Sequence, residues 1–292
     1  MTGQGSLRAM LFVPGAAEEK LAKIPRLAST SFILDLEDSV TPSEKDRARR
    51  LVGDLIASIG ADYVLHVRVN DPTSPHLAAD LAAVVRPGLA GIVVPKLEDP
   101  DDLVVVNRLI DEYAAEVEMD AEGIDVMATI ETAAGLHRVH DIAAVGGHLN
   151  RLSFGSGDFA LDLGLDWPDD DGISDTILIA KSHVVLASRV AGLESPHDGA
   201  YSRYHDLDGL AIEARQSRRL GFSGKHVIHP SQIPVVKAIF EPNSKQVERA
   251  RRLISAFEVA EGSGSAAVGV DGELVDYAIV HRARRLLQES QG

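Results

Sequence analysis

The stretch DVMATIETAAGLHRVHDIAAVGGHLNRLSFGSGDFALDLG, residues 125–164, decides the fold of this chain. It contains two runs, VMATI and LSFGSG, that consist of apolar and small residues with no charge. Such runs are typical of parallel strands covered on both faces. The intervening LHRVHDIAAV has helical spacing and would return the chain to the same edge of the sheet. The stretch therefore predicts a strand–helix–strand unit of a parallel sheet.

Each of these two strands ends on a carboxylate. Glu131 follows the first strand and Asp158 follows the second, so the two side chains would stand together at the carboxyl ends of neighbouring strands. Such a pair repels unless a cation or a shared proton holds it, and hard oxygen ligands favour Mg²⁺ or Mn²⁺. We therefore predict that Glu131 and Asp158 are metal ligands. The alternative is that they are helix caps or turn residues.

Strand patterns recur along the whole chain. They start near residues 9, 32, 63, 91, 125, 151, 192 and 226, a spacing of roughly 25–40 residues that is typical of an α/β protein with a (β/α)8 TIM barrel. A length of 292 residues suits one such barrel. A doubly wound open sheet is the competing fold, but GSGDFA lacks the GxGxxG spacing of dinucleotide sites. We predict a barrel catalytic domain over residues 1–240.

The composition excludes several classes of partner and chemistry. With 29 basic and 44 acidic residues the net charge is −15, which argues against nucleic acid or an anionic membrane as a partner. The absence of cysteine excludes disulfides, thiolate metal sites and a cysteine nucleophile. The sequence has neither a membrane-span pattern nor a signal pattern. We expect a cytoplasmic protein.

Further charged residues collect at predicted strand ends. Alternation in SFILDLEDSV turns Asp35 and Glu37 to one side, and Arg68 lies at the end of the third strand. A buried arginine there needs an anionic partner. That partner is either Asp35 or Glu37, in an ion pair, or a substrate carboxylate or developing enolate. We take Arg68 and Glu37 as candidate catalytic residues.

Two other segments have two interpretations each. Arg8, Lys20 and Lys23 surround the first strand and helix, where they could bind phosphate or form a solvated face. The acidic run 169–171 lacks EF-hand spacing, which favours solvated residues over a calcium loop. Trp167 beside it is the one tryptophan, and we expect it to cover a site.

Residues 241–292 are predicted to form a C-terminal helical and hairpin extension. A helix is followed by the Gly/Ser-rich EGSGSAAVG, a hairpin-like VDGELVD with Asp-Gly at its turn, and a closing helix. This extension carries its own acid, Asp276, and we expect it to pack on a neighbouring subunit.

Eight motifs, in the same order along the chain, resemble those of a known protein family. RAMLFVPG, LDLEDSVTPSEKDRAR, VRVN, VVPK, TIETAAGL, FGSGDFALDLG, GFSGKHVIHPSQI and VDGELVDYAIVHRARRLL run through almost the whole chain. In this order they resemble the citrate lyase β-subunit-like family of the HpcH/HpaI aldolase superfamily, which includes malyl-CoA, citramalyl-CoA and 3-hydroxy-3-methylglutaryl-CoA lyases.

The resemblance implies a TIM barrel, usually a homotrimer or hexamer. It implies Mg²⁺ at the positions of Glu131 and Asp158, and it aligns Arg68 with the substrate arginine. Coenzyme A, as part of the substrate, would have its phosphates near Arg8 and Lys23. Asp276 aligns with a C-terminal acid that enters a neighbouring subunit's site.

The implied function is Mg²⁺-dependent cleavage of a 3-hydroxyacyl-CoA to acetyl-CoA and an α-keto acid by retro-Claisen chemistry. Arg68 would stabilise the thioester enolate, and Asp276 would supply the proton to its carbon. Two alternatives remain open. One is a malyl-CoA-type thioesterase, and the other is a citrate lyase β subunit acting on an acyl-carrier-protein thioester within a complex.

Overall fold

The structure is a computed structural model that describes residues 7–167 and 174–290. The chain divides into two compact units, residues 1–236 and 237–292. The division falls inside the helix Gln232–Phe240. The predicted domain boundary lies at the end of this helix, after residue 240. The acidic run 169–171 lies outside the described residues.

The first unit is a closed barrel of eight parallel strands, each hydrogen-bonded to the next and the last to the first. The predicted (β/α)8 fold is confirmed, and the open sheet is excluded. The strands are β1 (Ala9–Pro14), β2 (Ser31–Asp35), β3 (Val64–Arg68), β4 (Gly91–Val94), β5 (Asp125–Ile130), β6 (Leu149–Phe154), β7 (His197–Asp198) and β8 (Gly224–Val227).

Seven strands start within two residues of their predicted positions, and β7 is the exception. It was expected near residue 192, but only His197 and Asp198 pair with the neighbouring strands. Pro196 precedes them and has no N–H to donate to a ladder. The seventh strand therefore begins after the proline.

Helices connect and surround these strands. They are α1 (Glu18–Leu21), α2 (Lys45–Ile59), α3 (Leu77–Val84), α4 (Pro100–Glu116), α5 (Ala133–His137), α6 (Val139–Ala143), α7 (Ser156–Leu163), α8 (Asp175–Val190), α9 (Leu207–Leu220) and α10 (Gln232–Phe240), the last crossing the division between the units. Within the described ranges, no helix combines the length and apolar character that crossing a membrane requires.

Side chains fill the barrel interior. Met10, Ile33, Val93 and Met127 come from four different strands and form one buried cluster. Because strand residues alternate between faces, the residues two positions further along β1 and β2, Phe12 and Asp35, face the same interior nearer the carboxyl ends. Apolar packing thus supports a polar rim above it.

The second unit has its own small core. It contains α11 (Ser244–Gly262), the antiparallel strands β9 (Val268–Val270) and β10 (Glu273–Val275), and α12 (Tyr277–Glu289). Asp271 and Gly272 join the strands with φ values of 51° and 82°, which is the conformation that an Asp-Gly hairpin turn adopts. The predicted hairpin is therefore present. Its core residues are Leu253, Phe257, Val275 and Val280.

Candidate active site

The two predicted metal ligands lie at one pocket. Glu131 directly follows β5, and Asp158 lies in the first turn of α7, directly after β6. The two strands pair in parallel with Ile130 opposite Phe154, so the chain after each strand emerges at the same edge. Both residues line a cavity of about 320 Å³. The cavity is at the carboxyl end of the barrel, where barrel enzymes have their active sites.

The Glu131 carboxylate is held by backbone on two sides. The backbone N–H of Lys96 donates to Oε1 at 2.8 Å, and Lys96 has the left-handed φ of 48°, which costs free energy for a residue other than glycine. On the other side, a Cβ at Gly155 would lie 2.3 Å from Glu131 Oε2. Residue 155 must therefore be glycine for the carboxylate to occupy this position.

Electrostatics disfavour a charged Glu131 in the absence of a cation. Burial, and after it the negative charges of Asp158 and Glu37, raise the pKa of Glu131 to about 8. A divalent cation between Glu131 and Asp158 would remove this penalty.

The donor set also fits a cation. Two carboxylates supply hard oxygen ligands, and Mg²⁺ is usually bound by one or two carboxylates together with water and substrate oxygens. The described residues contain no group of three or more His, Asp or Glu side chains at metal-binding distances. A cation at Glu131 and Asp158 would therefore keep open positions for substrate.

Arg68 is fixed by an ion pair and also faces the cavity. Its Nε and Nη2 donate to the two carboxylate oxygens of Asp35 at 2.7 and 2.8 Å, and its Nη1 lies 2.9 Å from Glu37 Oε2. Burial disfavours the charged form of both side chains. Contact with Asp35 outweighs burial and raises the pKa of Arg68, and contact with Arg68 outweighs burial and lowers the pKa of Asp35. The ion pair exists, and Arg68 lines the cavity as well.

Glu37 links Arg68 to Lys96. The ammonium of Lys96 donates to Glu37 Oε1 at 2.7 Å, opposite the oxygen that faces Arg68. Burial raises the pKa of the Glu37 carboxyl in spite of the two cations. Lys96 thus contacts Glu37 through its side chain and Glu131 through its backbone. The sequence indicated only that Lys96 ends a strand. The left-handed backbone conformation that directs its N–H toward Glu131 cannot be predicted from a lysine.

A buried lysine, Lys45, contacts the turn that contains Glu37, and the sequence did not predict this contact. The Nζ of Lys45, in the first turn of α2, donates to the carbonyls of Leu36 and Glu37 at 2.6 and 2.8 Å, and to Asn70 Oδ1 at 2.6 Å. Asn70 in turn donates to Asp80 Oδ2 at 2.6 Å. A lysine early in a helix normally indicates a solvated face, so no sequence signal marked Lys45 as a support for the Glu37 turn.

Apolar and aromatic side chains form the remaining wall. Trp167 lines the cavity, in agreement with its predicted position at a site. Arg68 Cζ lies 4.9 Å from the centroid of the Phe12 ring, a favourable cation–π distance. The other wall residues include Phe154, Gly199, Ala200 and His226.

The two basic residues predicted near coenzyme A phosphates are not brought together with Arg68. Arg8 precedes β1, and its Nη1 donates to the carbonyl of Ser223, which precedes β8. Both residues are at the amino ends of their strands, three or four positions before the cavity-lining Phe12 and His226, which is roughly 10–13 Å of strand. We therefore leave Arg8 out of the site. Lys23 is exposed after α1, on the segment that follows the carboxyl end of β1.

Asp276 is placed by the second unit. It follows β10 and is the N-cap of α12, where Oδ1 accepts a hydrogen bond from the backbone N–H of Ile279 at 3.1 Å. This bond occupies one carboxylate oxygen and fixes the side chain. The predicted catalytic role of Asp276 remains a prediction.

Fold and site together define a class of protein: a (β/α)8 barrel enzyme with a carboxylate pair and an anchored arginine in a pocket at the carboxyl end of its strands. The chain belongs to the HpcH/HpaI aldolase/citrate lyase family, whose model matches residues 8–230.

Two curated relatives match nearly the whole chain. The citrate lyase subunit beta of Haemophilus influenzae is 32% identical over 285 residues, which cover 97% of each chain. A (3S)-malyl-CoA thioesterase of Cereibacter sphaeroides is 34% identical over 288 residues, which cover 97% of this chain and 94% of that protein. Family members of similar identity thus differ in named activity.

Solved structures show the same fold. The protein CitE from Mycobacterium tuberculosis, in complex with magnesium, acetoacetate and coenzyme A, has a TM-score of 0.79 and 28% identity. The alignment covers 98% of this chain and 99% of that one. A citrate lyase from Burkholderia xenovorans has a TM-score of 0.83 at 23% identity, which supports the fold alone.

Proposed function

We propose that this protein is a Mg²⁺-dependent carbon–carbon lyase that cleaves a 3-hydroxyacyl-CoA by retro-Claisen chemistry. A substrate of the malyl or citramalyl type would give acetyl-CoA and an α-keto acid, and one of the 3-hydroxy-3-methylglutaryl type would give acetyl-CoA and acetoacetate. The observation that carries the proposal is the carboxylate pair Glu131 and Asp158 in the same cavity as Arg68. The structural relative in complex with magnesium, acetoacetate and coenzyme A supports the choice of metal and substrate class.

Glu131 and Asp158 are the residues that would hold the cation. When bound there, Mg²⁺ or Mn²⁺ supplies positive charge that polarises substrate oxygens and makes the hydroxyl easier to deprotonate. The chain's own contribution is to hold the Glu131 carboxylate still, through the Lys96 N–H and the close backbone of Gly155. The two residues thus keep this ligand in place before substrate arrives.

Arg68 acts on the thioester half of the substrate. The hydroxyl proton leaves to solvent, and the resulting alkoxide collapses to a carbonyl group. This breaks the carbon–carbon bond, and the bonding electrons move onto the thioester as an enolate. Asp35 and Glu37 fix the guanidinium plane, so its remaining N–H groups can donate to the enolate oxygen. Single donors of this kind stabilise a transition state by about 3–4 kcal/mol.

Asp276 completes the reaction by donating a proton to the enolate carbon, which gives acetyl-CoA. In the reverse direction it removes a proton from acetyl-CoA. We place it in the site of a neighbouring subunit of a homotrimer or hexamer, and its helix-capping bond supports a fixed orientation. Lys23, exposed beyond α1, is the proposed contact for a coenzyme A phosphate.

The test is to incubate the protein with a panel of 3-hydroxyacyl-CoAs and Mg²⁺ and to identify the products. Acetyl-CoA and the matching keto acid are expected in equal amounts, and their formation should be sensitive to EDTA. The matched control is Glu131→Gln, which keeps size and shape but removes the charge. No cleavage of any substrate by folded protein, or equal cleavage by the variant, would overturn the proposal.

A second candidate function is hydrolysis of malyl-CoA, which the 34% identical thioesterase of Cereibacter sphaeroides favours. Water entering the same pocket would then release free CoA and a hydroxy acid. A third, favoured by the 32% identical Haemophilus influenzae protein, is a citrate lyase β subunit. It would act only on a substrate carried by an acyl carrier protein. The product panel separates the first two functions, and activity only with an acyl-carrier-protein thioester would identify the third.

A further inference from the structure

Asp80, in α3, is a fully buried acid that is not one of the residues lining the cavity. Its two carboxylate oxygens accept three hydrogen bonds. Oδ2 accepts from the backbone N–H of Asn70 at 2.8 Å and from the Asn70 side-chain amide at 2.6 Å, and Oδ1 accepts from Nε of Arg49 at 2.7 Å. Burying a carboxylate costs free energy unless such partners surround it. Asp80 therefore holds Asn70 through both its backbone and its side chain.

The side chain of Asn70 is oriented by charged groups at both ends of its amide. The amide nitrogen donates to Asp80 Oδ2, and also to the carbonyl of Leu36 at 3.0 Å. The amide oxygen accepts from Nζ of Lys45 at 2.6 Å. Because a carboxylate only accepts hydrogen bonds and an ammonium only donates them, the opposite orientation of the amide would break both contacts. Asp80 thus determines which end of Asn70 faces Lys45.

Lys45 connects Asn70 to the turn after β2. Its Nζ donates to the carbonyls of Leu36 and Glu37 at 2.6 and 2.8 Å, so that with Asn70 all three ammonium N–H groups have an acceptor. Burial lowers the pKa of Lys45, and among the acids that oppose this effect the charge of Asp80 comes first. Asp80 therefore favours the charged form of the ammonium that contacts the turn.

This turn contains Glu37, which contacts Arg68. Oε2 of Glu37 lies 2.9 Å from Nη1 of Arg68. Arg68 ends β3, and Asn70 follows it by two residues. Asp80 is thus connected to both members of this ion pair, to Glu37 through Lys45 and to Arg68 through the backbone that leads to Asn70.

We propose that Asp80 is a positioning residue for the proposed reaction, because it orients Asn70 and Lys45 and through them fixes the Glu37 turn that holds Arg68. This inference rests on the proposed function, in which the guanidinium stabilises an enolate. A guanidinium that is displaced slightly donates less well to an enolate oxygen that forms only during the reaction. Loss of Asp80 should therefore lower kcat and leave KM nearly unchanged.

The test variant is Asp80→Asn, which keeps the size of the side chain but has one oxygen acceptor instead of two. One oxygen cannot serve both Arg49 and Asn70 in their present positions, so one of these contacts is lost. We measure kcat and KM per folded molecule, after calibration by circular dichroism. The value of kcat should fall about tenfold, since the loss of one buried hydrogen bond is of that order.

Asp46→Asn is the matched control, because Asp46 also pairs with Arg49. Its Oδ1 accepts from Nη1 of Arg49 at 2.5 Å, but its side chain is 85% exposed. The control therefore removes a carboxylate from the same arginine on the solvent side, and it should keep the wild-type kcat. A merely structural role of Asp80 would lower the melting temperature without changing the turnover of the molecules that are folded.

A double-mutant cycle tests whether Asp80 acts through Lys45. In Lys45→Met the ammonium that contacts the turn is absent, so adding Asp80→Asn should lower kcat little further. Reductions in kcat that multiply would overturn this path. If Asp80→Asn does not fold, Asn70→Ala takes its place, because it removes the amide between Asp80 and Lys45 and leaves the contact of Asp80 with Arg49. The same fall in kcat is expected.

The outcomes separate this inference from the proposed function. With an active wild type, an unchanged kcat in Asp80→Asn, or an equal loss in Asp46→Asn, overturns the role of Asp80. A wild type that cleaves no 3-hydroxyacyl-CoA overturns the lyase proposal instead. Urea unfolding of Asp80→Asn, Glu37→Gln and the double variant then still tests whether Asp80 fixes the Glu37 turn. Additive changes in the free energy of unfolding overturn that connection, and non-additive changes support it.

Discussion

Arg68 has a structural contact with two acids and a proposed chemical role, and the contact with the acids orients the guanidinium that the proposed role requires. Asp35 occupies Nε and Nη2, and Glu37 faces Nη1. The sequence placed the three residues on neighbouring strand ends and left the partner of Arg68 open. Both interpretations are compatible, since the guanidinium has five N–H groups and the two acids use only part of them.

The variant Arg68→Lys should lose about 100-fold or more in kcat, because an ammonium cannot reproduce the planar, multi-donor geometry. Its melting temperature should also fall, since lysine cannot bind both oxygens of Asp35 in the same way. Activity is therefore measured per folded molecule, after calibration by circular dichroism. Normal turnover per folded molecule would show that Arg68 has only a structural role.

The substitution Glu131→Gln has opposite effects on metal-free and metal-bound protein. In EDTA, the buried Glu131 is penalised when charged, as its pKa of about 8 indicates, so removing the charge should raise the melting temperature. The Lys96 N–H keeps an oxygen acceptor in the variant. Addition of Mg²⁺ should stabilise the wild type but not the variant. Thermal shifts with and without Mg²⁺ measure both effects, and an unchanged Mg²⁺ response would contradict the assignment of Glu131 as a ligand.

At the scale of the elements, strand ends and turns were predictable, whereas side-chain partners were not. Apolar runs between turn residues located seven strands, and Asp-Gly located the hairpin, because both depend on local chemistry. The short β7 was misplaced, since two residues leave almost no periodic signal. The contact of Lys45 with the Glu37 turn depends on how α2 packs, and the contact of the Lys96 N–H with Glu131 depends on the loop after β4. A single sequence does not specify either.

Replacing Lys45 by methionine tests this support. The change leaves the carbonyls of Leu36 and Glu37 and the Asn70 oxygen without their common donor, so we expect a loss of about 1–3 kcal/mol in stability. A loosened Glu37 turn should also lower kcat more than it changes KM. Urea unfolding and steady-state kinetics measure the two effects. The control is Lys245→Met, an exposed lysine in the first turn of α11. Equal effects of both changes would argue that Lys45 does not support the turn.

At the scale of the whole molecule, the buried histidines should make stability sensitive to acid. Burial lowers the pKa of His66 to about 4 from 6.5 and that of His226 to about 3, and it also lowers that of His197. Between pH 6.5 and 4 the unfolded chain therefore binds protons that the folded chain does not. Each such histidine lowers the free energy of unfolding by up to about 1.4 kcal/mol per pH unit as the pH falls.

This effect is best measured as a difference between variants, because the raised pKa of Glu131 acts in the opposite direction. Urea unfolding at pH 7.5, 6 and 5 should show a shallower acid loss for His66→Leu than for the wild type. The exposed His140→Leu should match the wild type. Identical slopes for His66→Leu and the wild type would show that His66 takes up protons equally in the folded and unfolded protein, which contradicts a lowered pKa.

The proposed oligomer leads to a prediction of its own. If Asp276 acts in the site of another subunit, the inactive variants Asp276→Ala and Arg68→Ala should regain part of their activity when they are unfolded together and reassembled. Some sites would then combine an intact barrel with an intact extension. If mixed oligomers are shown to form and no activity returns, Asp276 works within its own chain or not at all.

The division of the chain into two units, each with its own core, has an evolutionary consequence. The proposed metal ligands and the cavity-lining Arg68 belong to residues 1–236, whereas the proposed proton donor belongs to residues 237–292. Substitutions around the small core of Leu253, Phe257, Val275 and Val280 can alter the position of Asp276 without touching a single barrel strand. On the proposed mechanism, selection on this small core could therefore change how the enolate is protonated while the barrel residues proposed to bind substrate are inherited unchanged.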